Sequence, residues 1–440
     1  MSKRLFIIGL DCADPQFIFG SAAFKLPNLN RLMTSGAYGP IRSCDPPITV
    51  PAWSVLFSGK DPGELGCYGF RNRVDHSYAP MVNADASWIQ TPRLWDTLSR
   101  RGLSSIVVGV PQTYPPKPVK GWLVSGPETP DDDADCTYPK ILKQELLSSV
   151  GELLFDVHDF RNLPPDRLIA ACHRLMQNRF AVTRHLMDTK PWDACIMVEM
   201  GLDRMHHALW QYCVSDHPRF EANSPYSSAF KDYYTALDTE IGSLLDRVAP
   251  DTRVLTISDH GAQAMRGGFN INQWLINEGL LVLKDSPHQP TSLDMRNVDW
   301  SHTTAWAAGG YYARLFLNIE GREPDGIILQ DQREATLDRI ANSLGAITKP
   351  DDSPLRVTAH KPESLYREVN GVAPDFLVYF EDLAYRALGS IGISNLFSTE
   401  NDTGPDGANH APEGIAIFHN IDPPPKPWRL QDIYPLLASL

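Results

Sequence analysis

Three aspartates stand directly beyond apolar runs: Asp11 after FIIGL, Asp203 after IMVEMGL and Asp259 after RVLTIS. Histidines accompany two of them. Asp203 and His207 lie four positions apart in GLDRMHHALW, which reads as helix, so both side chains project from one face of its first turn; His206, at three positions, is the competing choice. Asp259 and His260 are adjacent, and at a strand end a carboxylate and an imidazole can converge on one cation as hard and borderline ligands. His410 sits in the turn-rich stretch NDTGPDGANHAPEGIAIF, which feeds another strand. A hydroxyl comes from DPPITVPAWSVLFSGKDPGELGCYGF at 45–70. Pro51 suits the first turn of a helix through AWSVLFSG, which puts Thr49 at the helix start, where unsatisfied N–H groups and the helix dipole favour an anion. Thr49 is there either an N-cap or a nucleophile, and Trp53, one turn on, lines either a substrate mouth or the core.

Side chains at strand ends meet only if a sheet brings those ends to one edge, and in open α/β sheets ligands bind beyond the carboxyl ends. Short apolar runs alternating with helical segments predict such a sheet with helices on both faces. Strands are expected at 4–11, 104–110, 122–126, 193–200, 252–258, 311–319, 373–380 and 414–418. Helices are expected at 92–101, capped by Thr91 with Pro92 in its first position, and at 165–188, 225–248 and 328–345. The architecture expected is one α/β/α sandwich over residues 1–440, in which about 262–400 adds a cap or lid, as well as some sheet, and supplies the side chains that set specificity.

The chain has 440 residues, 42% hydrophobic and 21% charged, enough for a large core without disulfides or structural metals. Lys+Arg 40 against Asp+Glu 53 leaves a net charge of −13, which argues against tracking along a nucleic-acid polymer and requires any anion to be captured locally. Seven cysteines, odd in number and never in a CxxC pair, read as reduced thiols. The apolar run before Asp11 is too short for a signal segment, and no stretch approaches the roughly 18 apolar residues of a membrane span. A cytoplasmic protein without membrane association is expected; no motif speaks to its oligomeric state.

Taken in order, Asp11, Thr49-Val-Pro-Ala-Trp with SGKDPGELG, Asp203-x3-His207, Ser258-Asp259-His260-Gly261 and Asn409-His410-x-Pro-x-Gly resemble the type I phosphodiesterase/nucleotide pyrophosphatase branch of the alkaline phosphatase superfamily. The stretches at 300–326 and 400–410 look like a prokaryotic, largely uncharacterised subgroup of it. The resemblance implies an alkaline phosphatase-like sandwich and a hydrolase of phosphodiester or nucleotide pyrophosphate bonds. It also implies two divalent ions, usually zinc and sometimes manganese. Asp203, His207 and His410 would hold one; Asp11, Asp259, His260 and the Thr49 oxygen would hold the other. Two such ions carry +4 against −3 from the three aspartates, so the pocket suits a small phosphoester anion despite the acidic chain. Thr49 would attack phosphorus and form a phosphothreonine.

The chain departs from better-known relatives at Ala52, where they place a phosphate-binding Asn. Arg42, Arg71 or Arg73 would then have to substitute, and Trp53, Ala52 and Arg71 are the candidate substrate contacts. The CxPxR-type motif of sulfatases is missing around Thr49. The competing functions are a phosphomonoesterase on the same site and a catalytically silent binding protein of the same fold.

Overall fold

In the computed structural model, which describes residues 4–20, 24–131 and 133–439, the expected apolar runs all form strands; Met1 to Lys3 of the N-terminal run lie outside the described residues. The chain divides into two compact units. The first comprises residues 1–70, 84–262 and 411–440. Its sheet has eight strands in the order Gly36–Arg42, Glu413–His419, Arg253–Ile257, Leu5–Leu10, Ala194–Glu199, Ser105–Val108, Gly121–Val124, Thr137–Tyr138. The five from Arg253–Ile257 to Gly121–Val124 are parallel; Glu413–His419 and Thr137–Tyr138, which flank them, run antiparallel to them, and the edge strand Gly36–Arg42 is antiparallel to Glu413–His419. Every residue of Leu5–Leu10 and Ala194–Glu199 is buried, as strands covered on both faces require.

Two groups of helices provide that cover. Pro27–Thr34, Pro165–Thr189, Gly201–Cys213 and Ala229–Leu245 pack among themselves; Thr49–Ser58, Leu94–Arg100 and Ile433–Ala438 form the other group. Register sets the site. Leu10 is opposite Glu199 and Gly9 opposite Ile257, so Asp11 and Asp259 leave the sheet at one level, at the carboxyl ends of neighbouring parallel strands.

The second unit comprises residues 71–83 and 263–410, beyond the 262–400 expected from sequence at its end and with an extra piece near the N-terminus. Strands Ala305–Ala308, Ala313–Leu317, Phe376–Phe380, Tyr385–Leu388, Gly267–Asn270 and Phe397–Ser398 form its sheet in that order, with Val357–His360 also on Phe376–Phe380. The helix Arg333–Gly345 buries Leu337, Ile340 and Leu344 in the same apolar core as Phe269, Trp306, Leu315 and Phe376. Most of these strands have four or five residues and little alternation, which is why only two were expected from sequence. The helix expected at 92–101 starts at Leu94, and Thr91 does not cap it; Arg93 is the N-cap, and its backbone N–H is taken by Asp96 at 2.8 Å.

Candidate active site

Thr49 opens the helix Thr49–Ser58, all ten of whose residues are buried. The N-cap position belongs to Ile48, whose carbonyl accepts the Ala52 N–H at 2.9 Å, and no side chain caps the helix. The Thr49 hydroxyl is therefore not used as a cap: Oγ1 lies 3.3 Å from His260 Nε2. Gly59, in the left-handed region at φ 70°, ends the helix where a side chain would be strained.

Asp11, Asp259 and His260 each offer a ligand atom within 4.8 Å of the others, all fully buried. Neighbouring groups fix their orientation. The Trp53 indole N–H donates to Asp11 Oδ2 at 2.7 Å. Trp53 is fully buried, so its ring holds a carboxylate in place and is not at a mouth. Room for that ring comes from Gly9, where a Cβ would fall 2.6 Å from Trp53 Cη2 and 2.8 Å from Val198 Cγ2. Cys12, held at φ 64°, turns its N–H onto Asp259 Oδ1 at 3.1 Å. His260 Nε2 is 3.1 Å from Asp259 Oδ2.

Asp11 Oδ1 accepts no hydrogen bond among the described residues. Burial, then the Asp259 and Asp203 charges, hold the Asp11 carboxyl well above the usual carboxylate range, and burial does the same to Asp259. Buried carboxylates with an uncommitted oxygen and an imidazole beside them are the donor set of a divalent cation, and these residues fit one.

Asp203 and His207 share the first turns of Gly201–Cys213, with Nε2 of the histidine 3.3 Å from Oδ1 of the aspartate. Asp203 also comes within 4.8 Å of His260, so the two ligand groups are continuous. The competing His206 has its ring among Phe17, Trp210, Phe230 and Tyr234, and burial pushes its imidazole down to about 3. The helix start is anchored by Glu199, which accepts the Gly201 and Leu202 N–H groups at 2.6 and 3.2 Å and the Tyr233 hydroxyl at 2.8 Å. A Cβ at Gly201 would lie 2.2 Å from the Tyr233 oxygen and 2.8 Å from Glu199 Oε1. Gly201→Ala should therefore displace the turn carrying Asp203 and lower metal affinity by about 10–100-fold, as loss of outer-shell support does, measured by competition with a metal-binding dye. Unchanged affinity would show that this anchor does not aim Asp203.

Two supporting features were missed in the sequence. Arg204 donates to Asp203 and forms a forked pair with Asp156 at 2.9 and 2.7 Å; the Asp-Arg adjacency was the available signal. The positive φ of Cys12, a residue other than glycine, has no sequence signature.

His410 is the last residue of the second unit. It is buried, stacked on Tyr311 with ring centroids 3.9 Å apart, and Tyr311 is itself capped by the Arg386 guanidinium at 4.4 Å. Gln263 Nε2 holds the His410 carbonyl at 2.9 Å. Ala52 is fully buried in the Thr49 helix. Arg42 is half-exposed and pairs with Asp45 at 3.3 Å, and Arg71 is exposed. Arg73 is buried within the second unit against Glu323, the Ser77 carbonyl and the Phe316 ring, so its guanidinium is already committed there.

No curated relative matches the chain. Solved structures do match in fold. Phosphonoacetate hydrolase from Sinorhizobium meliloti 1021, in complex with phosphonoformate, aligns with TM-score 0.62 at 15% identity, covering 99% of this chain and 96% of that one. Human ectonucleotide pyrophosphatase / phosphodiesterase 5 aligns with TM-score 0.56 at 13% identity, covering 99% and 94%. The murine protein of that name, in complex with AMP, aligns with TM-score 0.53 at 12% identity, covering 100% and 96%. The sequence matches the type I phosphodiesterase / nucleotide pyrophosphatase family over residues 5–407. On an alkaline phosphatase-like α/β fold, the chain belongs to the type I phosphodiesterase / nucleotide pyrophosphatase family of hydrolases.

Proposed function

We propose that the protein hydrolyses small phosphodiesters, nucleotide pyrophosphates among them, by passing the phosphoryl group through Thr49. The observation that carries this reading is the Thr49 hydroxyl, not used as a cap, at a buried helix start 3.3 Å from His260 and beside the Asp11, Asp259 and His260 ligand group. Asp11, Asp259, His260 and Thr49 Oγ1 would hold one divalent ion and Asp203, His207 and His410 the other, zinc in first place given three imidazoles and manganese in second. Bound there, the ions supply Lewis acidity to phosphoryl oxygens and acidify neighbouring hydroxyl groups.

The rest is done by the chain. Thr49 Oγ1 forms a bond to phosphorus as the bond to the leaving oxygen breaks opposite it, and the Thr49 proton passes out with the leaving alcohol. Water then cleaves this phosphothreonine, which still carries the remaining ester group, restoring the hydroxyl and releasing the phosphate monoester. Trp53 and Cys12 keep Asp11 and Asp259 from turning during both steps. The Ala52 side chain offers the phosphate no hydrogen bond, which leaves an arginine, Arg71 of the strand Arg71–Asn72 first, to bind its third oxygen. The second unit is the part of the chain that would act as a cap and select the ester group. Phosphonoformate and AMP, held in two of the structural neighbours, are likewise small phosphorus oxyanions. No helix among the described residues is long and apolar enough to cross a membrane. All seven cysteines are thiols, six of them buried, which fits a reducing compartment such as the cytoplasm.

After chelation and reloading with zinc or manganese, bis-p-nitrophenyl phosphate should turn over about tenfold or more faster than p-nitrophenyl phosphate, because the residues proposed for the site include no further cation to meet the second charge of a monoester. A monoester preference would assign the site to a phosphomonoesterase. A metal-loaded protein that turns over neither ester would be a silent binding protein of this fold.

A further inference from the structure

Within the second unit, His410 is held at both ends of its backbone and on its ring. Its N–H donates to Asn409 Oδ1 at 3.0 Å and its carbonyl accepts from Gln263 Nε2 at 2.9 Å, while its imidazole lies on the Tyr311 ring with planes 24° from parallel. The first two contacts fix the chain, and the third bears on the ring itself. Tyr311 is in turn secured. Asn409 Nδ2 donates to its carbonyl at 3.1 Å, and the Arg386 guanidinium that lies over its ring is buried and pairs with Asp406 Oδ2 at 2.7 Å. Gly310 and Ala387, the chain neighbours of Tyr311 and Arg386, exchange both backbone hydrogen bonds, at 2.8 and 3.1 Å, so phenol and guanidinium stand on paired backbone. The glycines of AAGGYY permit that approach: a Cβ at Gly309 would fall 2.6 Å from the Ala387 carbonyl oxygen.

Asp406, Arg386, Tyr311 and His410 thus form one line of contacts that ends on an imidazole. A buried ion pair adds little net stability over apolar packing, so what the Arg386–Asp406 pair contributes here is the placement of a cation over the tyrosine. We propose that Tyr311 is a positioning residue: its ring sets the plane of the His410 imidazole, and with it the directions of both ring nitrogens, while Arg386 keeps the phenol from turning. The inference rests on the reading of His410 as a metal ligand. Ligating histidines are commonly aimed by a hydrogen bond from their second nitrogen, and the stacked face adds an aromatic means to the same end. An imidazole whose plane is already set gives up less rotational freedom when it takes a cation, which raises affinity without adding a ligand.

Zinc titration of the chelated full chain in competition with a metal-binding dye tests it, with melting curves to show that each variant is folded. Tyr311→Leu should bind one of two zinc ions about tenfold or more weakly and the other as the native chain does. Tyr311→Phe keeps the flat face and should bind both with native affinity. In a His410→Ala background, Tyr311→Leu should cost nothing further, because it acts through the imidazole. Should Tyr311→Leu fail to fold, Arg386→Met with Asp406→Leu removes both charges at once and should weaken the same ion about threefold or more. Native zinc affinity in Tyr311→Leu or in that paired variant, a loss in Tyr311→Phe as large as in Tyr311→Leu, or a full further loss in the His410→Ala background would each overturn the proposal. Unchanged zinc binding in His410→Ala alone would instead strike His410 from the ligands, and the role of Tyr311 with it.

Discussion

Thr49→Ala is expected to leave a folded protein with both metals retained and turnover of phosphodiesters reduced about 10⁴-fold or more, the scale seen when an attacking group is removed. Folding should survive because the lost hydroxyl makes no cap bond and its hydrogen-bond partner among the described residues is His260 at 3.3 Å; removing one such contact costs about 1 kcal/mol. The remaining ligands Asp11, Asp259 and His260 keep their positions, since Trp53 and Cys12 orient the two carboxylates without involving Thr49. Thr49→Ser restores the oxygen and should recover part of the rate. Intact-protein mass spectrometry of acid-quenched enzyme would show an adduct of phosphoryl plus the remaining ester group in the native chain and none in Thr49→Ala. Near-normal turnover in Thr49→Ala would transfer the attack to another group.

The second large effect is on metal and stability together. Asp259→Asn should lower metal content, measured by elemental analysis, because Asp259 Oδ2 accepts no hydrogen bond among the described residues and is the oxygen left for a cation. The same change should stabilise the metal-free protein. There, three carboxylates crowd one buried space, and Asp11 is held above its ordinary range first by burial and next by Asp259. In that state the folded chain binds more protons than the unfolded one, so metal-free stability falls as pH rises from about 4 through the raised values. Asp259→Asn should flatten this slope. Native protein, by contrast, should gain about 4 kcal/mol at neutral pH from metal at a thousand-fold excess over Kd. Thermal melts with and without chelator from pH 5 to 8 check both halves, and unchanged metal stoichiometry would remove Asp259 from the ligand set.

Most of the first unit was legible because parallel strands buried on both faces leave unbroken apolar runs: FIIGL, ACIMVE and RVLTI need no pairing information to be recognised. The edge strand Gly36–Arg42 was not, since it contains two glycines and a proline and has only two buried residues. At the site, Asp11, Asp203 and Asp259 were visible as polar residues at strand ends. Trp53 was legible as lining either a substrate mouth or the core but not as a donor to Asp11, because that bond depends on the space at Gly9, a contact across 44 residues of sequence. Arg93 was passed over as a helix cap because Thr91 and Pro92 carry the stronger local signal.

The position of Glu413–His419, between Arg253–Ile257 and Gly36–Arg42, bears on how the chain is made. Gly36–Arg42 emerges early from the ribosome, yet the strand it pairs with in the sheet is synthesised some 370 residues later. At roughly 5–20 residues per second, that edge waits between about 20 and 75 s with its hydrogen-bonding groups unmatched. Its proline, glycines and terminal arginine are the features that keep such an edge from recruiting a strand of a neighbouring nascent chain. A translation product that stops before Glu413 would expose two strand edges at once, and aggregation, not partial activity, is the fate to expect of it.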